Sequence, residues 1–518
     1  MRRQLTHILD IMLSRILFPM LSASILLAAD KPNILFILAD DLGYGDVACY
    51  NEASKVPTPH LDRLAKEGLR FTDAHSPSTV CTPSRYGLLT GRMPFRTGYR
   101  GVFTGVGGPC LIEKGRLTLP QMLRNQGYAT VMHGKWHVGM TFFDAEGKPI
   151  HQNGLKAVQR ADFHRPIPDA PIHRGFDRFY GTVCCPTTDF LYAFVEGDRI
   201  PVPPVGLLDR SSLPKHPYAN DCRVGMVASN FDHQEVDGVF LQKSIDFLEQ
   251  HAKDASGKPF FLYHSTQAVH LPSFAGKDYR GRTKAGPHGD FIFQFDDHVG
   301  QLIAALKANG FGDNTLVMVS SDNGPEVPTV RDMRTRFQHN GARPWRGVKR
   351  DNWEGGHRVP MIAWWPGVIQ SGRTAHQTIC LTDVMATCAE LSGCTLPNEA
   401  AEDSISFYPV LLGDQGEQAT RTYTIHQTMS LGIAIRHGDW KYLDHKGSAG
   451  NNYRRSGAWG MKEWDLKETD PEAPGQLYNL ARDPGETTNL YSKHPEMVQE
   501  LKARLDAFKA SGRTAPER

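Results

Sequence analysis

The chain has 518 residues, enough for one large cored domain and a smaller one, and its apolar share of 40% and charged share of 22% are those of an enzyme-sized globular protein. Its 58 Lys and Arg against 56 Asp and Glu leave a formal charge of +2 with no block of like charges, which excludes nucleic acid or an anionic membrane as the partner that composition calls for. Any basic site must be local.

The chain opens MRRQLTHILDIMLSRILFPMLSASILLAAD, basic residues first, then an apolar stretch from Ile16 to Leu27, then Ala28 and Ala29. This has the form of a secretory signal peptide over residues 1–29, with an uncleaved anchor as the competing reading. The apolar stretch is shorter than a membrane span and no later segment is long enough to be one. The expectation is an exported protein, periplasmic or secreted, with no membrane span once the signal is cut. The nine cysteines, at positions 49, 81, 110, 184, 185, 222, 380, 388 and 394, suit an oxidising compartment; with Cys81 set aside for chemistry, the other eight are available for pairing.

Strand and helix signals then alternate. NILFILADD (33–41) is a continuous apolar run ending in two carboxylates, the pattern of a strand buried on both faces. PHLDRLAKEGLRF (59–71) repeats Leu61, Leu64, Ala65 and Leu69 at helical spacing. In SPSTVCTPSRYGLLTGRMP (76–94), Thr82 reads as a helix N-cap, Pro83 as the first helical residue and Gly91 as the terminator. Cys81 then stands at a helix N-terminus, where partial positive charge, reinforced by Arg85 one turn in, favours a thiolate or a bound anion. A buried or disulfide-bonded cysteine accounts for the same placement.

YATVMHGKWH (128–137) reads as a strand closing on His133, Lys135 and His137, which share one face if the extended conformation continues. Residues 141–222 read as a divergent insertion. PFFLYHS (259–265) is a strand with His270 just beyond it, and Ile292, Phe295, Val299, Leu302 and Leu306 step along a helix. TLVMVSSDNG (315–324) is a strand ending in Asp322 and Asn323, and PMIAWWPG (360–367) is another. The polar stretch LLGDQGEQATRTY (411–423) joins a catalytic domain, 30–415, to a smaller sheet-plus-helix domain, 416–518. The smaller domain has strand-like GIAIRHGDWKYLDH (432–445), a solvated loop at 462–475 and a final helix from about Pro495 to Lys509.

Strands alternating with helices imply a doubly wound α/β sheet, in which ligands collect beyond the carboxyl ends of the strands. Crowded carboxylates are costly to bury without a counter-charge, and a bound cation relieves that cost. Asp40, Asp41, Asp322 and Asn323 offer only hard oxygen ligands, which favours Ca²⁺, with Mg²⁺ as the second choice, over zinc. ADD or SDNG taken singly is ordinary turn chemistry; their joint placement at strand ends is what points to a metal.

The strand-ending ADD, CTPSR followed by LLTGR, HGKWH, VHLP, SSDNG and RGVKRDNWEGGHRVP (346–360) together resemble the type I sulfatases, the formylglycine-dependent branch of the alkaline-phosphatase-like superfamily. The resemblance runs from about Lys31 through IAIRHGDWKYL and QLYNLARDPGETTNL, nearly the whole mature chain. It implies a large mixed sheet flanked by helices, a smaller C-terminal α+β domain, and conversion of Cys81 to formylglycine by a formylglycine-generating enzyme that reads C-x-P-S-R. It implies Asp40, Asp41, Asp322 and Asn323 as metal ligands, with the converted Cys81 contacting the ion. Arg85 would hold the aldehyde hydrate, Lys135 and Lys349 would bind sulfate oxygens, His137 would act on the hydrate, and His270 would lie near the leaving oxygen. One further polar contact, usual between the GKWH strand and the third strand, has no unambiguous counterpart.

The activity so implied is that of a sulfuric ester hydrolase of arylsulfatase type acting on a sulfated carbohydrate or polysaccharide. Within 141–222 and nearby loops, His173, Arg174, Arg334 and Arg336 are candidates for contact with a sugar or an anionic group, with plain surface charge as the competing account. A phosphonate or phosphodiester hydrolase of the same superfamily is the alternative enzyme, and a non-catalytic binder of sulfated glycans the alternative of another class.

Overall fold

The computed structural model describes residues 31–254, 256–414, 416 and 418–518; the proposed signal peptide lies outside the described residues. Pro32–Arg518 forms one compact unit. Nine strands build its main sheet: β1 (Asn33–Ala39), β2 (Leu69–Phe71), β3 (Ala129–Lys135), β4 (Arg178–Thr182), β5 (Val195–Glu196), β6 (Phe260–Ser265), β7 (Thr315–Ser321), β8 (Met361–Trp364) and β9 (Arg373–Ala375). Their spatial order is β9-β2-β8-β7-β1-β6-β3-β4-β5. The central run β7-β1-β6-β3-β4 is parallel, while β8 and β5 pair antiparallel with their inner neighbours. All five strands expected from apolar runs are present, in one mixed, doubly wound sheet.

Alternation along β1 explains why its sequence is apolar throughout. Ile34, Phe36 and Leu38 pack on one side of the sheet with Tyr86, Leu88 and Leu89 of α2 (Cys81–Thr90). Leu35, Ile37 and Ala39 pack on the other with Leu61 and Leu64 of α1 (Pro59–Glu67). That second side also receives Leu241 and Leu248 of α3 (Val236–Lys253) and Ile292, Phe295 and Leu302 of α4 (Gly286–Ala308). A strand covered by helices on both faces has no solvent side to make polar. Leu69, expected to continue α1, belongs instead to β2, because the helix stops at Gly68. A Cβ at Gly68 would lie 2.3 Å from the Ala363 carbonyl of β8, so only glycine fits that approach.

The C-terminal region forms its own antiparallel sheet, β10 (Tyr423–Gln427), β11 (Ile433–His437), β12 (Trp440–Leu443) and β13 (Gln476–Asn479), in that order. α5 (Pro495–Ser511) covers it, burying Val498, Leu501 and Leu505 against Ile425, Ile435 and Leu477. A buried polar network ties this sheet to the segment that leads into Cys81 and to the segment that follows Lys349. Lys441 on β12 reaches Glu354 at 3.0 Å, Glu486 at 2.9 Å and Nε2 of His357 at 3.0 Å. His357 meets His75 at 3.0 Å, His75 meets Asp73 at 2.8 Å, and Asp73 meets Arg358 at 3.0 Å and Arg436 at 2.8 Å. His426 on β10 stacks on His357 and bonds the Ser76 carbonyl at 3.1 Å.

Among the described residues no helix is long and apolar enough to cross a membrane. All nine cysteines are free thiols.

Candidate active site

Register decides what the sheet presents at its edge. β1 and β7 are adjacent and parallel with Ala39 opposite Ser321, so Asp40-Asp41 and Asp322-Asn323 emerge side by side. On the other flank of β1, Leu38 lies opposite Ser265 and Ser265 opposite Gly134, which brings Lys135 to the same edge. Asp40, Asp41, Lys135, Asp322 and Asn323, from three strands, are juxtaposed by strand pairing alone.

The side chains interlock. Lys135 Nζ pairs with Asp40, and Lys349 Nζ pairs with Asp41 at 2.6 Å. Arg85, fully buried, bonds Asp322 through Nε at 2.9 Å and reaches the Lys135 carbonyl at 3.0 Å and Ser265 Oγ at 2.5 Å. Asn323 donates to Asp41 at 2.7 Å, and the Asp41 backbone N–H donates to Asp322 at 3.2 Å. Asp41 tolerates the left-handed backbone, φ 66°, better than most residues.

The electrostatics show how crowded the cluster is. Burial favours the neutral form of Asp40, but Lys135, His270 and Arg85 outweigh it and hold the carboxyl at about 2. At Asp322 burial, with Asp40 alongside, outweighs Arg85 and pushes the carboxyl up to about 6. Burial likewise raises Asp41 despite Lys349. Asp40 Oδ1 and Asn323 Oδ1 are buried without a hydrogen-bond partner, and oxygen atoms of Asp40 and Asp322 lie within 4.8 Å of each other and of Cys81 Sγ. Unsatisfied buried oxygens of this kind are what a hard cation would use.

Cys81 is the first residue of α2, with Val80 rather than Thr82 at the N-cap. Thr82 is diverted from capping: its hydroxyl accepts the Phe103 N–H at 3.3 Å. The expected position of Cys81 at the helix head stands, and Gly91 ends the helix in the left-handed conformation, φ 61°. Burial opposes ionisation of Cys81, but a hydrogen bond with Cys185 and the charges of Lys135 and Lys349 hold its thiol well below the usual range.

The extended path expected through His133, Lys135 and His137 does not occur. Gly134, at φ 120°, reverses the alternation, and a Cβ there would strike the Ser265 carbonyl at 1.8 Å. His133 therefore turns away, bonding Ser244 Oγ at 3.0 Å, and takes no part in the site. β3 ends at Lys135, and His137, at φ 58°, swings back to the pocket, where its Nε2 faces the Phe103 carbonyl at 2.8 Å. His270 faces its neighbour's carbonyl, Leu271, through Nδ1 at 2.6 Å and Asp41 through Nε2 at 3.7 Å. Burial, with Lys349 nearby, drives the His270 imidazole down to about 3.

Two groups join the site that sequence reasoning did not place there. Residues 141–222 are not all insertion: β4 belongs to the main sheet, and just beyond it Cys185 enters the pocket. Its Sγ lies 3.8 Å from His137 Nδ1 and 3.7 Å from His270 Nε2. Glu326 backs Lys349 at 3.7 Å and pairs with Arg350. The four candidate sugar contacts each have a partner of their own. His173 faces Asp198 at 3.5 Å, Arg174 bonds the Ile112 carbonyl at 3.0 Å, and Arg336 pairs with Asp332 at 3.0 Å. Arg334 bonds Asn340 and lies over Trp464, in a groove with Trp345 and Tyr453.

Comparisons with known proteins agree with this architecture. A family model described as Sulfatase matches residues 32–394. The chain is 31% identical to an N-acetylgalactosamine-6-O-sulfatase of Bacteroides thetaiotaomicron, over 93% of this chain and 94% of the other. It is 34% identical to arylsulfatase A of Bos taurus, over 94% and 90%. Among solved structures, one from the Bacteroides thetaiotaomicron locus for metabolism of multiple glycosaminoglycans superposes with a TM-score of 0.78 at 29% identity, covering 93% of this chain and all of that one. The PsFucS1 sulfatase of Pseudoalteromonas sp. superposes with a TM-score of 0.70 at 28% identity, over 94% and 92%.

Proposed function

Because the chain belongs to the sulfatase family and is a sulfuric ester hydrolase, we propose that its substrate is a sulfated saccharide and that Cys81, converted to formylglycine, is its nucleophile. The observation that carries this reading is the placement of Cys81 at the head of α2, within 4.8 Å of Asp40 and Asp322. N-acetylgalactosamine 6-sulfate is the first substrate to test, after the activity that names the 31% identical relative.

Asp40, Asp41, Asp322 and Asn323 would hold a divalent cation, Ca²⁺ by the hardness of the donor set, with the residue at 81 completing it. When bound, that ion supplies positive charge against the sulfuryl oxygens. Formylglycine at residue 81 would supply, as its hydrate, a hydroxyl nucleophile toward sulfur and a second hydroxyl through which sulfate could be released. Lys135 and Lys349, buried and held charged beside Asp40 and Asp41, present preorganised cations to the sulfate group. Arg85, committed to Asp322, Ser265 and the Lys135 carbonyl, braces the ligand carboxylates and Lys135 as one unit.

His137 and His270 each have one ring nitrogen against a backbone carbonyl, which places the N–H there and turns the other nitrogen's lone pair to the pocket. That arrangement suits His137 to take a proton from the hydrate; His270, whose Nε2 lone pair also faces the pocket, would serve the leaving alcohol only after gaining a proton there. Export and maturation by a formylglycine-generating enzyme belong to the same proposal.

A mass spectrum of the Cys81 peptide, together with turnover on sulfate and phosphate esters at equal concentration, tests it. Aldehyde at residue 81 with sulfate ester preferred is the expected result. Preference for phosphonates or phosphodiesters would replace the substrate reading, and saturable glycan binding without turnover would replace the enzymatic one.

A further inference from the structure

We propose that, before Cys81 is converted, the pocket is a soft metal site formed by Cys81, Cys185, His137 and His270, with zinc as the ion it fits. Sγ of Cys81, Sγ of Cys185 and a ring nitrogen of His137 all lie within 4.8 Å of one another. Cys185 Sγ is 3.8 Å from His137 Nδ1 and 3.7 Å from His270 Nε2. Tetrahedral zinc, with Zn–S about 2.3 Å and Zn–N about 2.0 Å, sets sulfur and nitrogen roughly 3.5 Å apart, so Cys81, Cys185 and His137 need only small movements to share one ion, with His270, 3.7 Å from Cys185, as the fourth donor.

The imidazoles are oriented as zinc ligands are. The Phe103 and Leu271 carbonyls, at 2.8 Å and 2.6 Å, can only accept hydrogen bonds, so they hold the ring N–H groups of His137 and His270. The remaining nitrogens face the sulfurs with free lone pairs, the outer-shell arrangement that fixes a metal-binding tautomer. The charge of the zinc ion is met within its own donor set, since two thiolates cancel a dication. Binding releases to solvent whatever thiol protons remain on the two sulfurs and changes no oxidation state.

This donor set of two sulfurs and two nitrogens lies beside, and differs in hardness from, the oxygen set of Asp40, Asp41, Asp322 and Asn323. Conversion of Cys81 removes one of the sulfurs. The soft site therefore belongs to the unconverted chain, and a chain that folds ahead of conversion is held as a zinc form with its reactive sulfur covered. Cys184, next in sequence, takes no part, since its Sγ turns to the Gly105 carbonyl at 3.7 Å.

The test uses full-length protein made without a converting enzyme, with the thiol at residue 81 verified by peptide mass, saturated with Ca²⁺ and kept anaerobic. Co²⁺ serves as the spectroscopic probe, and Zn²⁺ is titrated against a chromophoric chelator. The expected result is one soft ion per chain, a near-ultraviolet thiolate-to-cobalt band, and protection of Cys81 and Cys185 from iodoacetamide by Zn²⁺. Cys185→Ser should lose about half of the band or more and weaken zinc binding by at least about a hundredfold, more than loss of an outer-shell partner costs, whereas Cys184→Ser should change neither. Alkylation protection in the unmutated chain keeps the test decisive if Cys185→Ser fails to fold. Cobalt binding without the thiolate band, alkylation unaffected by zinc, or a band undiminished in Cys185→Ser would overturn the site. The converted protein should lack the band, a comparison that rests on the proposed conversion; its failure to hydrolyse sulfate esters would count against the function and leave the zinc result standing.

Discussion

Lys441→Met tests the buried network that joins the C-terminal sheet to the segment behind Lys349. Lys441, fully buried, is the cation shared by Glu354 at 3.0 Å and Glu486 at 2.9 Å. Without it Glu354 keeps Arg358 at 3.0 Å, but Glu486 keeps only the Glu354 N–H at 2.7 Å and faces a like charge. Removing one partner of a buried pair costs about 3–5 kcal/mol. Burial already pushes Glu486 up to about 7 against the pull of Lys441, so in the variant it protonates, which places the loss at the lower end, about 3 kcal/mol. At ~2.1 cal/mol/K per residue, a compact unit of this size has an unfolding entropy of ~1 kcal/mol/K, so Tm should fall by about 3 °C. Glu486→Gln alone should cost less than about 1 kcal/mol, and adding it to Lys441→Met should restore most of the loss. Calorimetry on the three variants, with turnover measured at 25 °C, reads the effect. A Tm unchanged within about 1 °C in Lys441→Met, or a double variant no more stable than the single, would refute the reasoning.

Three other outcomes are expected. Cys81→Ser should keep the fold and Ca²⁺ binding but lose steady-state turnover, with sulfate accumulating on residue 81, because the sulfated serine has no second hydroxyl to expel it; sustained turnover free of wild-type contamination would rule out the hydrate mechanism. Asp322→Ala should abolish Ca²⁺ binding in a calorimetric titration, and activity with it, leaving the far-ultraviolet spectrum largely intact. Burial would raise Glu326, but Arg350 and Lys349 hold it at about 2, so the native state binds fewer protons than the unfolded state between about pH 4.5 and 2. Stability contributed by Glu326 is thus full above that window and lost as pH falls through it; Glu326→Gln should flatten the acid limb of a denaturation series, and an unchanged limb would remove Glu326 from the account.

The strands and the four metal-ligand candidates were legible because both follow from local patterns. Apolar runs mark buried strands, and a polar pair at the end of each run marks the sheet edge. The rest depended on contacts that no local pattern carries. Thr82 has the chemistry of an N-cap, yet Phe103, remote in sequence, takes its hydroxyl. Strand periodicity put His133 with Lys135, and the backbone reversal at Gly134 parted them. Cys185 was hidden because β4 is short and only partly apolar, so its stretch carries no strong periodicity; the one signal was a Cys-Cys pair one residue beyond Arg178–Thr182. Charge alone singled out Arg334 and Arg336, and both charges are spent on local partners.

The segment entering Cys81 is held by residues that the ribosome makes much later. Thr79 N–H bonds the Gln427 carbonyl, Gln427 N–H bonds the Pro77 carbonyl, and His426 bonds the Ser76 carbonyl across 350 positions of chain. At about 5–20 residues per second, this clasp cannot close until roughly 18–70 s after Cys81 has been synthesised. For that interval the segment lacks its β10 partners, although the His357 carbonyl and the Arg350 N–H also reach it, at Ser76 and Thr79. If Cys81 is converted as proposed, the fold would set a clock for maturation: an enzyme that needs an extended cysteine peptide would have to act before β10 closes on it. Slowing translation between residues 81 and 427 should raise the fraction of converted chains, and accelerating it should lower that fraction.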